Sequence, residues 1–85
     1  MNGINYKDYK PSMGTIIDLE DEIVYKRKHL PNSINIPYEK LLYNHKKLLD
    51  KNQLYFLTCA KGVKSKRMCN ILKYNGYNVT QLFNE

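Results

Sequence analysis

The 85 residues leave room for one small domain, expected to span residues 1–85, and a composition 42% hydrophobic and 26% charged excludes a disordered tail. A core this thin also excludes a large internal ligand cavity. Fourteen Lys and Arg against 8 Asp and Glu give a net charge of +6, which draws anionic partners; without a basic helix or a stacking motif, nucleic acid is not expected among them.

The first readable element is Thr15-Ile16-Ile17-Asp18-Leu19, a β-branched and apolar run that predicts a strand. The acidic cluster Glu20-Asp21-Glu22 follows it and Lys26-Arg27-Lys28 comes later, acids first and bases last, as the dipole of a short helix prefers. Asp18 is placed to cap that helix. His29-Leu30-Pro31-Asn32 reads as a turn, and Ser33 to Ile36 alternates as a second strand that Pro37 ends. Leucines at 41, 42, 48 and 49 predict one or two short helices between Tyr38 and Lys51.

Leu54-Tyr55-Phe56-Leu57-Thr58 is the most continuous apolar run and predicts a strand buried on both faces. Met68, Ile71 and Leu72 keep helical spacing from about Ser65, and Gly76 stands where a left-handed cap belongs. Tyr77 to Phe83 supplies a last strand. Strands alternating with helices predict an α/β fold of three layers, with a mainly parallel central sheet flanked by helices. The sequence has no transmembrane-length run and no signal-peptide core, so a cytoplasmic protein without membrane contact is expected. In that reducing compartment Cys59 and Cys69 are expected as free thiols, and two ligands do not make a metal site. No cofactor is expected either.

Chemistry concentrates between Leu54 and Lys66. A cysteine at the carboxyl end of a parallel strand, then a loop with a glycine, then a helix start is where open α/β sheets bind ligands. The N–H groups of residues 60 to 65 can curl around the Cys59 sulfur while the helix directs its positive end there. Lys61, Lys64, Lys66 and Arg67 add positive charge with no acid among them, and all of these effects favour thiolate. Cys59 is therefore the candidate nucleophile. Cys69, beside Leu72 on the apolar side of the helix, reads as a core residue, and His29 and His45 as structural ones.

Cys59-Ala60-Lys61-Gly62-Val63-Lys64-Ser65 resembles the active-site loop of rhodanese-like sulfurtransferases, Cys-x-x-Gly followed two residues on by a basic residue and often Ser. Asp18, with His29-Leu30-Pro31-Asn32-Ser33-Ile34-Asn35-Ile36-Pro37 after it, is similar to that family's Asp-x-Arg and His-Ile-Pro-Gly-Ala-x-Asn-Ile-Pro. Gly76-Tyr77-Asn78-Val79 resembles its Gly-Tyr-x-x-Val. The resemblance implies a small rhodanese-like fold and a cysteine that takes sulfane sulfur from thiosulfate, polysulfide or a protein persulfide and hands it to a thiol, cyanide or protein acceptor. It implies Cys59 as the sulfur carrier and the loop Ala60, Lys61, Gly62, Val63, Lys64 and Ser65 as the donor-binding cradle. Lys64 matches the family's anion-binding position, and Asp18 is a structural support. A monomer is expected.

The sequence departs from the pattern at Glu20, where the family has Arg, at Val24, where it often has Glu, and at Lys28, where it has Gly; the family's Gly-Gly after the last strand is also missing. These departures motivate an alternative, a catalytically weak binding module or a sulfur- or redox-sensing one. Related phosphatases use Cys-x5-Arg, with a loop one residue longer; the sixth residue after Cys59 is Ser65, so their phosphate fork is absent.

Overall fold

Period-two alternation through residues 54–59 sends Tyr55 and Leu57 to one side of a sheet and Phe56 to the other, and both sides are covered. The computed structural model describes residues 3–84. Its strands are β1 (Gly3–Asn5), β2 (Thr15–Asp18), β3 (Ile34–Asn35), β4 (Leu54–Thr58) and β5 (Asn78–Phe83), and its α-helices are α1 (Glu22–Arg27), α2 (Tyr38–Leu48) and α3 (Val63–Tyr74). The strands form one parallel sheet in the order β1-β5-β4-β2-β3. The expected α/β sheet flanked by helices is what the chain forms.

The topology places the site. From β2 the chain crosses through α1 to β3 on one side, and from the neighbouring β4 it crosses through α3 to β5 on the other. Right-handed crossovers in opposite directions put their helices on opposite faces, so the loops after β2 and β4 part and leave a crevice at the strands' carboxyl ends. Register sets Asp18 beside Thr58 on one side and Asn35 on the other, at the rim of that crevice.

The larger core lies under α2 and α3, where Ile17, Leu57, Val79, Leu41, Met68 and Leu72 close together. The opposite face is thinner: Ile16, Phe56 and Leu82 are covered by Tyr6 from a 3-10 turn (Tyr6–Asp8), by Tyr9 just after it, and by Leu30. Tyr9 meets the Phe56 ring edge-on at 5.2 Å. In α1 no residue is buried, and Ile23 is 68% exposed, so this helix spaces β2 from β3 more than it fills the core.

Several elements differ from the sequence reading. Strand β1 was not anticipated; three residues carry no periodicity, and the strand exists through its pairing with Gln81 to Phe83. Helix α1 begins at Glu22, not Glu20, because Asp18 Oδ1 accepts the Glu20 N–H at 2.8 Å and turns the chain first. Asp18 thus caps a turn, not the helix. Only Ile34 and Asn35 of the second predicted strand enter the ladder, whereas residues 38–48 make a single helix within the span expected for one or two. The end of α3 is as expected: Gly76 takes φ +88°, its N–H reaches the Lys73 carbonyl at 3.0 Å, and the Tyr77 N–H reaches that of Leu72 at 2.9 Å, a Schellman closure. Among the described residues no helix is long and apolar enough to cross a membrane.

Candidate active site

Cys59 is the first residue past the β4 ladder. The Thr58 carbonyl accepts the Leu19 N–H at 3.0 Å, which pins the strand end against the loop after β2. Alternation continues for one more position, so the half-buried Cys59 shares the α2/α3 face with Leu57 and packs on the edge of that core. The chain then reverses through Gly62, whose φ of +80° is left-handed; an added Cβ would meet nothing nearer than 3.5 Å, so glycine is favoured here by conformation and not by space. Helix α3 starts at Val63, two residues before the expected Ser65, and Gly62 caps it without a side chain.

That earlier start places Ser65 in the first turn with its N–H pointing back at the strand end. The Cys59 Sγ accepts this N–H at 3.2 Å and lies 3.4 Å from Ser65 Oγ. Ser65 is 1% exposed, and its hydroxyl accepts from Gln81 Nε2 at 2.9 Å. The single hydroxyl proton faces the Gly62 carbonyl at 3.3 Å or the sulfur, so it can turn to a thiolate without losing the glutamine. Gln81 also donates to the Gly62 carbonyl at 2.8 Å and so joins the loop to the first turn of α3. Sequence reasoning passed over Gln81. Its signal was a polar residue on the face that Val79 opens in β5, at a carboxyl strand end.

Of the loop amides expected to surround the sulfur, Ser65 does so and Ala60 does not. The Ala60 N–H donates to Glu20 Oε2 at 2.7 Å, across 40 residues of sequence. Among the described residues, the N–H groups of Lys61, Gly62, Val63 and Lys64 have no protein acceptor, as the first amides of a helix do not. Nor is the loop free of acids, because Glu20 Oε1 lies 3.7 Å from Lys64 Nζ.

Asp18 lines the same crevice. Its carboxylate serves the Glu20 turn while its carbonyl accepts from Ile36 N–H at 3.0 Å and Asn35 Nδ2 at 3.1 Å. Burial raises the Asp18 carboxyl above its ordinary value, against the lowering effect of the Glu20 N–H; the Glu20 charge adds to the rise. The crevice, about 580 Å³ and open to solvent, runs from Cys59 and Lys61 past Glu20 to Arg27 and His29. His29 thus lies closer to the site than its sequence position suggests, but its ring stacks on Tyr25 at 3.9 Å and its Nδ1 lies 2.7 Å from the Tyr25 carbonyl. His45 packs edge-on to Tyr77 at 5.5 Å. Cys69 is buried in the core, which pushes its thiol up from 9.0 to about 11. Among the described residues no cluster of three metal-ligating side chains occurs.

The sequence profile of the Rhodanese-like domain matches residues 3–84. The chain belongs to the rhodanese-like domain family. It is 30% identical over 73 residues to a tRNA sulfurtransferase of Thermoplasma acidophilum, covering 86% of this chain and 14% of that protein, so it spans a small part of the relative's length. A rhodanese-related protein from Thermoplasma volcanium superposes with a TM-score of 0.85 at 25% identity, over 99% of this chain and 85% of that one. An NAD-dependent persulfide reductase from A. fulgidus does so with a TM-score of 0.73 at 27% identity, over 98% of this chain and 15% of that one.

Proposed function

We propose that the domain is a sulfurtransferase in which Cys59 carries sulfane sulfur as a persulfide. One observation carries the reading: Cys59 Sγ accepts the Ser65 N–H at 3.2 Å at the start of α3, beside loop amides with no acceptor among the described residues. A sulfur in that position is stabilised as an anion by a backbone donor and a helix terminus, and a second sulfur attached to it meets the remaining loop donors.

In the loading step the Cys59 thiolate attacks the outer sulfur of the donor. With thiosulfate, the donor's sulfur–sulfur bond breaks, sulfite leaves with the electron pair, and Cys59–S–S⁻ remains. In the second step an acceptor nucleophile, cyanide or a thiolate, bonds to the outer sulfur and Cys59 recovers its thiolate. The loop Ala60 to Ser65 is the donor-binding cradle, with Lys64 as the cation for an anionic donor, Ser65 as hydrogen-bond donor to the sulfur, Gln81 holding Ser65, and Asp18 as structural support. Donors are thiosulfate, polysulfide or a protein persulfide; acceptors are a thiol, cyanide or a protein. Two free thiols suit a reducing compartment, the cytoplasm, where the domain works as a monomer.

Thiocyanate formation from thiosulfate or polysulfide and cyanide tests this. Cys59→Ser is expected to remove transfer with either donor; wild-type rates in that variant would overturn the assignment. If the wild type itself transfers nothing from any donor, a binding or sensing module is the better description.

A further inference from the structure

We propose that Glu20 sets the charge selectivity of the Cys59 site, disfavouring dianionic donors and leaving a persulfide on a protein or peptide cysteine as the preferred sulfur source. The inference rests on the sulfur-carrier reading of Cys59 and deepens it. Glu20 acts as a resident anion in the donor cradle. Its Oε2 accepts the Ala60 N–H at 2.7 Å, and its Oε1 lies 3.7 Å from Lys64 Nζ. The first amide of the loop and the cation suited to an anionic donor are therefore both engaged by one carboxylate.

This carboxylate is held in place, not merely near. The Glu20 N–H donates to Asp18 Oδ1 at 2.8 Å, and the Glu20 carbonyl accepts from Asn35 Nδ2 at 2.8 Å. With the backbone fixed on both sides, the side chain is only 17% exposed and lines the same crevice as Cys59. The Lys64 end is 46% exposed, where an ion pair alone is weak; the charge-assisted bond to Ala60 is the firmer anchor. A dianion reaching for Lys64 must displace Glu20 and meets its charge. A cysteine persulfide brings one charge at most and is recognised by its carrier, so it has no need of the engaged groups. The step balances without an external oxidant: Cys59–S⁻ and R–S–SH give Cys59–S–SH and R–S⁻, one sulfur–sulfur bond forming as another breaks.

Two ratios test the proposal on wild type and Glu20→Gln, a variant that keeps an acceptor for the Ala60 N–H. The first is the rate of Cys59 alkylation by anionic iodoacetate over that by neutral iodoacetamide. It is independent of sulfur transfer, and a merely structural change would alter both rates together. The second is the rate of sulfur loading from thiosulfate over that from a persulfidated peptide, followed by intact mass. Both ratios are expected to rise at least roughly fivefold in Glu20→Gln, the scale of one contact between charges fully screened by water, and to stay at the wild-type value in Glu20→Asp. Glu20→Ser serves in its place if the glutamine variant folds poorly. An unchanged alkylation ratio would overturn the role of Glu20 whatever the loading shows. A raised alkylation ratio with no loading from either donor would overturn sulfur carriage and leave the charge selectivity standing.

Discussion

Cys59 and Cys69 lie ten residues apart and belong to the same strand-loop-helix unit, yet their surroundings oppose each other. Cys59 stands where β4 ends, half-buried, its sulfur accepting the Ser65 N–H at the opening of α3. Cys69 lies farther along α3, packed in the same core cluster as Met68 and Leu72 at 4% exposure, and burial pushes its thiol up to about 11. One thiol faces a positive helix end and the other faces hydrocarbon. Reactivity here follows from position relative to a strand end and a helix start, which a cysteine count cannot convey.

The largest expected difference is in alkylation. At neutral pH iodoacetamide should modify Cys59 at least about a hundredfold faster than Cys69, and the gap should close in denaturant. Comparable native rates, read by peptide mapping, would break the comparison. Next in size is a pH effect on stability. Because the folded Cys69 keeps its proton up to about 11 while its ordinary value is 9.0, stability should fall as pH rises through that window, by between about 2 and 3 kcal/mol. Cys69→Ala should lack that slope in denaturant titrations across the range, whereas Cys59→Ser should retain it.

Smaller effects sharpen the picture of the loop. Ser65→Ala removes the hydroxyl but keeps the N–H, so sulfur loading should slow about tenfold, below the usual cost of losing a whole anion-hole donor. Gln81→Leu frees Ser65 without touching the sulfur and should slow loading less than Ser65→Ala does; the reverse order in a loading time course would remove Gln81 from the account. Gly62→Ala forces a Cβ into a left-handed position and should cost about 1 to 2 kcal/mol in unfolding free energy. No loss on equilibrium unfolding would mean that the turn relaxes.

Much of this was legible in the sequence because it is local. The run Leu54 to Thr58, the glycine after Cys59 and the glycine at 76 each announce a strand, a turn and a helix stop through neighbours alone. What escaped was long-range. Strand β1 has meaning only beside Gln81 to Phe83 at the far end of the chain. Glu20 was visible as a departure from the family pattern, but its bond to Ala60 spans 40 positions and appears only once β2 and β4 are neighbours. Helix α3 opens two residues early because a left-handed glycine, not a capping side chain, starts it. Gln81 sits in a run that reads as core, and its partners Gly62 and Ser65 come from a different element.

The most direct test of the central claim is intact mass before and after incubation with thiosulfate, and separately with polysulfide and with a persulfidated peptide, for wild type and Cys59→Ser. One added sulfur atom on the wild type alone, removed by cyanide, is the predicted result. The same added mass on Cys59→Ser, or none on the wild type with thiosulfate, polysulfide or a persulfidated peptide, would contradict Cys59 as the sulfur carrier.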